Sequence, residues 1–338
     1  MSTNSNIEWT DHTFNPWEGC QKVGPGCDNC YAEARNARFG GGQAINWGPG
    51  APRRRTSASN WALPLRWNAQ AEAFMAQHGR RQRVFCASLA DVFDNAVSNT
   101  WRSELLSIIW RTPNLDWLLL TKRIGNVAAL MQECMEPGKQ WEFPPNVWLG
   151  ATIVNQAEAD RDIPKLLQVP AHVRFLSIEP MLGPIQLGLQ CENWSDDIVT
   201  DPETGARECC KACDFTGIGN SIDWVIVGGE SGPSARPMHP DWARGLRDQC
   251  AAAGVPFLFK QWGEWCTSED MTDKTGDSLY VEDLSRLRVK VVAIDAMGGV
   301  SQDANLLADQ ASATALYRIG KKAAGRLLDG RTHDGAPS

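Results

Sequence analysis

From residue 83 onward, short apolar runs alternate with stretches of helical spacing. The runs Arg83–Leu89, Asp116–Thr121, Val147–Thr152, Val173–Ile178, Ile222–Val227 and Pro256–Lys260 are continuous rather than alternating, which predicts strands buried on both faces. Between them, Asn99–Arg111, Asn126–Cys134, Gln156–Leu167 and Asp241–Ala253 carry the three-to-four residue period of helices packed on a sheet. In Asn99–Arg111 the apolar stripe is Leu105, Ile108 and Ile109, and Gly254 supplies a stop after the last helix. Strands alternating with helices predict parallel βαβ units. A further strand around Thr13–Trp17 brings the count to six or seven. No Gly-x-Gly-x-x-Gly follows the first strand, so the pattern predicts an α/β fold with a partial or complete parallel β/α barrel, not a dinucleotide-binding sheet.

Tyr31–Arg38 and Ala71–His78 read as helices before this regular part, separated by a glycine-rich loop over Gly40–Gly50. Two regions break the rhythm. Leu187–Ser221 is polar and cysteine-containing, and reads as an insertion. Beyond Trp265 the pattern is mixed: Leu287–Ile294 predicts a strand, Ala311–Leu328 a helix, and Asp329–Ser338 a tail. The expected organisation is a barrel over 1–265 with the insertion 187–221, followed by an extension and tail over 266–338.

Composition narrows the function classes. Hydrophobic residues make up 43% and charged residues 22%, as in ordinary globular proteins. No run reaches the roughly 18 apolar residues of a membrane helix, and the N-terminal residues lack a basic start followed by an apolar stretch. A cytoplasmic protein without membrane contact is expected. The net charge of −7 excludes a uniformly basic nucleic-acid surface. Local basic clusters remain at Arg53–Arg55, at Arg80, Arg81 and Arg83, and at Arg318, Lys321, Lys322 and Arg326, each of which reads first as a solvated face. Fifteen tryptophans against three tyrosines supply both core and, near loop ends, flat rings suited to stacking on a base. Eleven cysteines in a reducing compartment point to metal ligands or redox chemistry before disulfides.

Three of those cysteines share one loop. Cys20, Cys27 and Cys30 stand in NPWEGCQKVGPGCDNCYAEA, residues 15–34, with six and two residues between them. Thiolates this close can wrap one soft-metal centre, and Gly19, Gly24 and Gly26 allow the loop to turn. Four thiolates saturate a cubane cluster or a structural zinc. Three leave either one iron open to a ligand, or a zinc completed by a fourth donor such as His12, Cys86 or a residue of the insertion.

The pairs Asn15-Pro16 and Gly19-Cys20 and the segment Cys27-x2-Cys30-Tyr31-Ala32 resemble the cluster loop of radical S-adenosylmethionine enzymes, in particular the branch similar to spore photoproduct lyase. The chain is also similar, to about residue 331, to an uncharacterised phage-associated family with this three-cysteine signature. Further matches to it lie in VGGESGP at 227–233, FKQWGEW at 259–265 and GKKAAGRLLDGR at 320–331. Radical enzymes usually have three residues between the first two cysteines, where this loop has six. The resemblance implies a [4Fe-4S] cluster on Cys20, Cys27 and Cys30 and S-adenosylmethionine chelated at the open iron. It also implies a flavodoxin- or ferredoxin-like one-electron reductant, and a 5′-deoxyadenosyl radical that abstracts hydrogen from a substrate, with a nucleic acid or nucleobase as the expected target.

Barrel sites lie at the C-terminal strand ends. In this chain those ends carry polar residues in series. Ser88, Asp91 and Thr152 are candidate cofactor contacts, as are Gly228, Gly229 and Glu230, where two glycines permit close approach and a carboxylate can bind an ammonium or a hydroxyl. A tight turn with Glu230 paired to Arg236 reads equally well. Lys122, Glu179 and Lys260 are candidate catalytic residues, and Arg123 a further contact. Cys86 reads first as a buried small residue and second as a hydrogen donor. In the insertion, Cys191, Cys209, Cys210 and Cys213 have the look of half a zinc ribbon, so zinc is the expected ligand there.

Overall fold

The structure is a computed structural model that describes residues 5, 7–136, 138–189, 199–200, 207–208, 222–269, 289–302 and 313–337. Seven parallel strands, β1 (His12–Phe14), β2 (Gln82–Cys86), β3 (Leu115–Thr121), β4 (Val147–Thr152), β5 (Val173–Ile178), β6 (Trp224–Gly228) and β7 (Phe257–Gln261), form one sheet in chain order. The sheet is curled and stays open, because β1 and β7 are its edges. It is a partial parallel β/α barrel.

The period-two alternation of a strand divides its residues between two cores. Val84 and Cys86, Trp117 and Leu119, Leu176 and Ile178, and Val225 and Val227 point to one face. There they meet the apolar stripes of α1 (Asn99–Arg111), α2 (Val127–Gln132), α3 (Gln156–Leu167) and α4 (Pro240–Ala253) through Leu105, Leu130, Leu166 and Leu246. The intervening residues Phe85, Leu118, Trp148, Phe175, Trp224 and Leu258 form a separate aromatic-rich cluster inside the curl. Register lines up Phe85, Leu118 and Trp148 across three neighbouring strands. Gly150 of β4 faces the Phe175 ring so closely that a Cβ would lie 2.3 Å from it. The ring therefore occupies the space that any larger residue at 150 would need.

The boundaries of β4, β5, α1 and α3 coincide with the expected ones, and the remaining strands shift by one to three residues. The expected helix Ala311–Leu328 is not formed. Thr314–Arg318 instead pairs antiparallel with Lys290–Ile294 and with Trp265–Cys266 in a four-stranded sheet, and the helical part shrinks to Lys321–Ala324. Gly320 at φ 87° and Gly325 at φ 65° bracket that turn, in a backbone region that helices do not use. The expected tail is also structured. Residues 333–335 run along the free edge of β7: Phe259 N–H donates to His333 O at 3.0 Å and Gly335 N–H to Phe257 O at 3.0 Å. The segment covers an edge that would otherwise present unpaired backbone groups. Among the described residues no helix is long and apolar enough to cross a membrane.

Candidate functional site

The loop after β1 is held at both of its ends. Asn15 ties it to the loop after β2: its Oδ1 accepts from Leu89 N–H at 2.7 Å and its Nδ2 donates to Ser88 Oγ at 3.0 Å. The Asn15 and Pro16 carbonyls accept from Thr56, Asn60 and Trp61. Of the loop glycines expected to supply positive φ, Gly19 does so, at 112°, and a Cβ there would also lie 2.5 Å from Asn46 O. Gly26 has another role. It passes so close to Val154 that a Cβ would sit 2.8 Å from that side chain.

At its far end the loop is clamped by the segment after β6. The Glu230 carboxylate accepts from Asn29 Nδ2 at 3.0 Å and is doubly bound by Arg236, at 2.8 and 2.6 Å. Arg236 continues to Asp28 Oδ2 at 3.0 Å and to Pro25 O at 2.9 Å. Burial opposes ionisation of Glu230, but the bonds from Arg236 and Asn29 outweigh it and hold its pKa below the usual carboxylate range. The pairing with Arg236 is therefore the arrangement present, with the cysteine loop as its further partner. The adjacent Gly229 packs on backbone: a Cβ would lie 1.9 Å from Trp262 O. This joins the VGGESGP and FKQWGEW segments. Gly228 lies against Glu179, where a Cβ would be at 3.4 Å.

Cys20, Cys27 and Cys30 are free thiols that line one cavity of about 490 Å³ at the C-terminal ends of the strands. Ser88, Asp91, Lys122, Thr152, Glu179, Gly229, Glu230 and Lys260 line it too, so of the expected site residues only Gly228 is set back from the wall. Trp47 adds a half-buried flat ring, while Trp9 reaches the wall from within the aromatic cluster, packed on Phe85. Most other tryptophans are core: Trp17, Trp67, Trp117, Trp224 and Trp262 are fully buried.

Asp91 organises the loop after β3, accepting from Thr121 Oγ1 at 2.8 Å, Lys122 N–H at 3.1 Å and Arg123 Nη1 at 3.1 Å. Arg123 in turn donates to Cys20 Sγ at 3.4 Å and to Gln21 O at 2.6 Å. Burial pushes the Cys20 thiol up to about 11 despite Arg123, and it pushes Cys30 up despite backbone donors and Lys122. Both thiols are therefore protonated near neutral pH, and a metal bound to them would displace the proton. Glu179 is bound by Lys260 Nζ at 2.8 and 2.9 Å and by Gln261 Nε2 at 2.9 Å. Thr152 Oγ1 and Gln261 Oε1 are buried without a partner, on two residues of the cavity wall.

His12 and Cys86 stand apart. His12 Nε2 bonds Gln82 Oε1 at 2.6 Å with its ring stacked on Trp67, and Cys86 is wholly buried in β2 with burial raising its thiol pKa far above normal. Neither lines the cavity, so neither offers a fourth donor to the loop. Cys191, Cys209, Cys210 and Cys213 lie outside the described residues.

Two basic clusters are consumed by the fold. Arg53 pairs with buried Asp94 at 2.8 Å, Arg54 with Glu18 and Arg55 with Glu104. Arg80 pairs with Asp11 and Arg81 with Asp116, while Arg83 lies over the Trp148 ring. From the third cluster, Lys321 reaches the cavity wall. Sequence reading named Lys321 only within a basic cluster taken first as a solvated face, and it missed the extension of the Glu230–Arg236 pair to Asn29. The pairing of Glu230 with Arg236 was legible from their spacing, whereas the reach to Asn29 spans 201 positions.

No curated protein and no solved structure matches the chain. A family profile described as a protein of unknown function, DUF5131, matches residues 4–337, and the chain belongs to that family.

Proposed function

We propose that the protein is an iron–sulfur enzyme of the radical S-adenosylmethionine type that acts on a nucleic acid or nucleobase. The observation that carries this reading is the convergence of three free thiols from one loop on a single cavity at the C-terminal ends of seven parallel strands. Their chemistry fits a [4Fe-4S] cluster: three soft donors in a buried, cation-lined wall, with His12 and Cys86 turned elsewhere. Cys20, Cys27 and Cys30 would hold it. When bound, it would supply one electron, drawn from a flavodoxin- or ferredoxin-like reductant, for cleavage of the C5′–S bond of S-adenosylmethionine to methionine and a 5′-deoxyadenosyl radical.

The chain's own part is positioning and exclusion of water. Asn15 and the Glu230–Arg236 clamp fix the two ends of the cysteine loop. Arg123 donates to Cys20 Sγ and offsets negative charge on that sulfur. Glu179, pre-oriented by Lys260 and Gln261, presents a carboxylate to ammonium or hydroxyl groups of a ligand. Trp47 offers a ring for stacking a base.

Anaerobic reconstitution with iron and sulfide tests the proposal. The expected product is a brown protein that forms 5′-deoxyadenosine from S-adenosylmethionine under dithionite. Stoichiometric zinc that iron does not replace, together with no 5′-deoxyadenosine, would overturn it.

A further inference from the structure

We infer that the substrate is a phosphate ester of a nucleoside, and that Lys122 and Lys321 bind its phosphate. The inference rests on the reading above in taking the cysteine cavity as the substrate site. Its support is a charge count within that cavity. The wall holds the cations Lys22, Lys122, Arg123, Lys260 and Lys321 and the carboxylates Asp91, Glu179 and Glu230. Every carboxylate already has a cation: Asp91 has Arg123, Glu179 has Lys260 and Glu230 has Arg236. Lys22 pairs with Glu33 at 3.2 Å. Among the described residues Lys122 and Lys321 have no carboxylate partner. Positive charge is thus in surplus here, within a chain of net charge −7.

The cofactors of that reading do not account for that surplus: a [4Fe-4S] cluster in its 2+ state on three thiolates would carry one net negative charge and S-adenosylmethionine one net positive charge, so together they cancel. A second, anionic ligand does. Two ammonium groups act as point charges free of the planar geometry that carboxylate recognition by arginine uses, and they suit phosphate.

Location extends the argument. Lys122 also lines a second, more open cavity of about 620 Å³, which shares Gln21, Lys122 and Arg123 with the first and adds Arg161 and Lys165, both paired with Asp162 of the same wall. An anion on Lys122 therefore sits on the wall between two cavities, where a chain of phosphates can pass from one to the other. The backbone on either side of the exposed Lys321 is held in place. Ile319 and Gly320 N–H donate to Glu264 O at 3.1 and 3.2 Å, Trp262 N–H donates to Gly325 O at 3.1 Å, and Trp262 Nε1 donates to Leu327 O at 2.6 Å. The C-terminal extension is in this way latched to the end of β7, and it contributes a binding residue to the cavity.

The test is binding of three probes to the full-length protein: adenosine, adenosine 5′-monophosphate and a short fluorescein-labelled single-stranded oligonucleotide. Both phosphorylated probes are expected to bind, and adenosine about tenfold more weakly or worse. Lys122→Ala and Lys321→Ala should each weaken the phosphorylated probes and reduce the salt slope by about one for the oligonucleotide. Lys122→Arg and Lys321→Arg should retain binding. Lys139→Ala, an exposed lysine paired with Glu136, should match the parent. Preference for the oligonucleotide assigns a strand, and preference for the monophosphate a free nucleotide. Adenosine binding as tightly as its monophosphate, or alanine variants with parental affinity and salt slope, overturns the inference. Phosphate-dependent binding by a protein that takes up no cluster would instead overturn the enzymatic reading and leave this one standing.

Discussion

Cys20, Cys27 and Cys30 differ from the other described thiols in what surrounds them. Cys86 and Cys250 are fully enclosed by apolar neighbours, and burial alone raises both, Cys250 to about 12. Such thiols are small hydrophobes. Cys86→Ala is accordingly expected to leave iron content unchanged after reconstitution, whereas alanine at 20, 27 or 30 should abolish it. Iron and sulfide analysis reads the difference. The Glu230–Arg236 clamp gives a second prediction. Arg236→Ala leaves a buried carboxylate without its cation, an effect of about 3 kcal/mol in comparable pairs, and should lower both thermal stability and cluster retention. The pH dependence follows from the direction of the Glu230 shift. Its folded pKa lies below the ordinary value near 4.5, so the clamp's contribution is complete above that value. It is lost as pH falls through the folded pKa. In Glu230→Gln the part of acid unfolding that belongs to this group should disappear, as urea titrations across the acid range would show.

At the scale of elements, legibility followed physical locality. The strands and helices between residues 83 and 260 were readable because continuous apolar runs and helical stripes are local signals. The expected helix at Ala311–Leu328 failed because its alanines and leucines favour a helix, while Thr314–Arg318 finds partner strands outside that segment, at Lys290–Ile294 and Trp265–Cys266, and Gly320 breaks the pattern. The strand-end residues were likewise legible as a series, since fold class alone says where such ends gather. Their hydrogen-bond partners were not: Glu179 meets Lys260 across 81 positions. Two predictions belong here. Gly150→Val drives a side chain into the Phe175 ring and should cost about 1–3 kcal/mol or more in urea unfolding. Removing residues 332–338 uncovers the edge of β7 and should lower the melting temperature and promote self-association, read by light scattering; a truncated protein as stable and monodisperse as the parent would contradict the edge-covering role.

Across the whole molecule, the curled sheet converts seven sequence-distant strand ends into one wall, and the aromatic cluster inside the curl closes the floor beneath it. The cysteine loop and the C-terminal extension reach that wall, and each is bonded to the segment after β6. The most direct test of the central claim is electron paramagnetic resonance of the reconstituted, reduced protein, with and without S-adenosylmethionine. A reduced-cluster signal that shifts on addition, and that is absent when Cys20, Cys27 and Cys30 are all alanine, is the predicted result. A signal indifferent to S-adenosylmethionine, or one that survives the triple substitution, would contradict it.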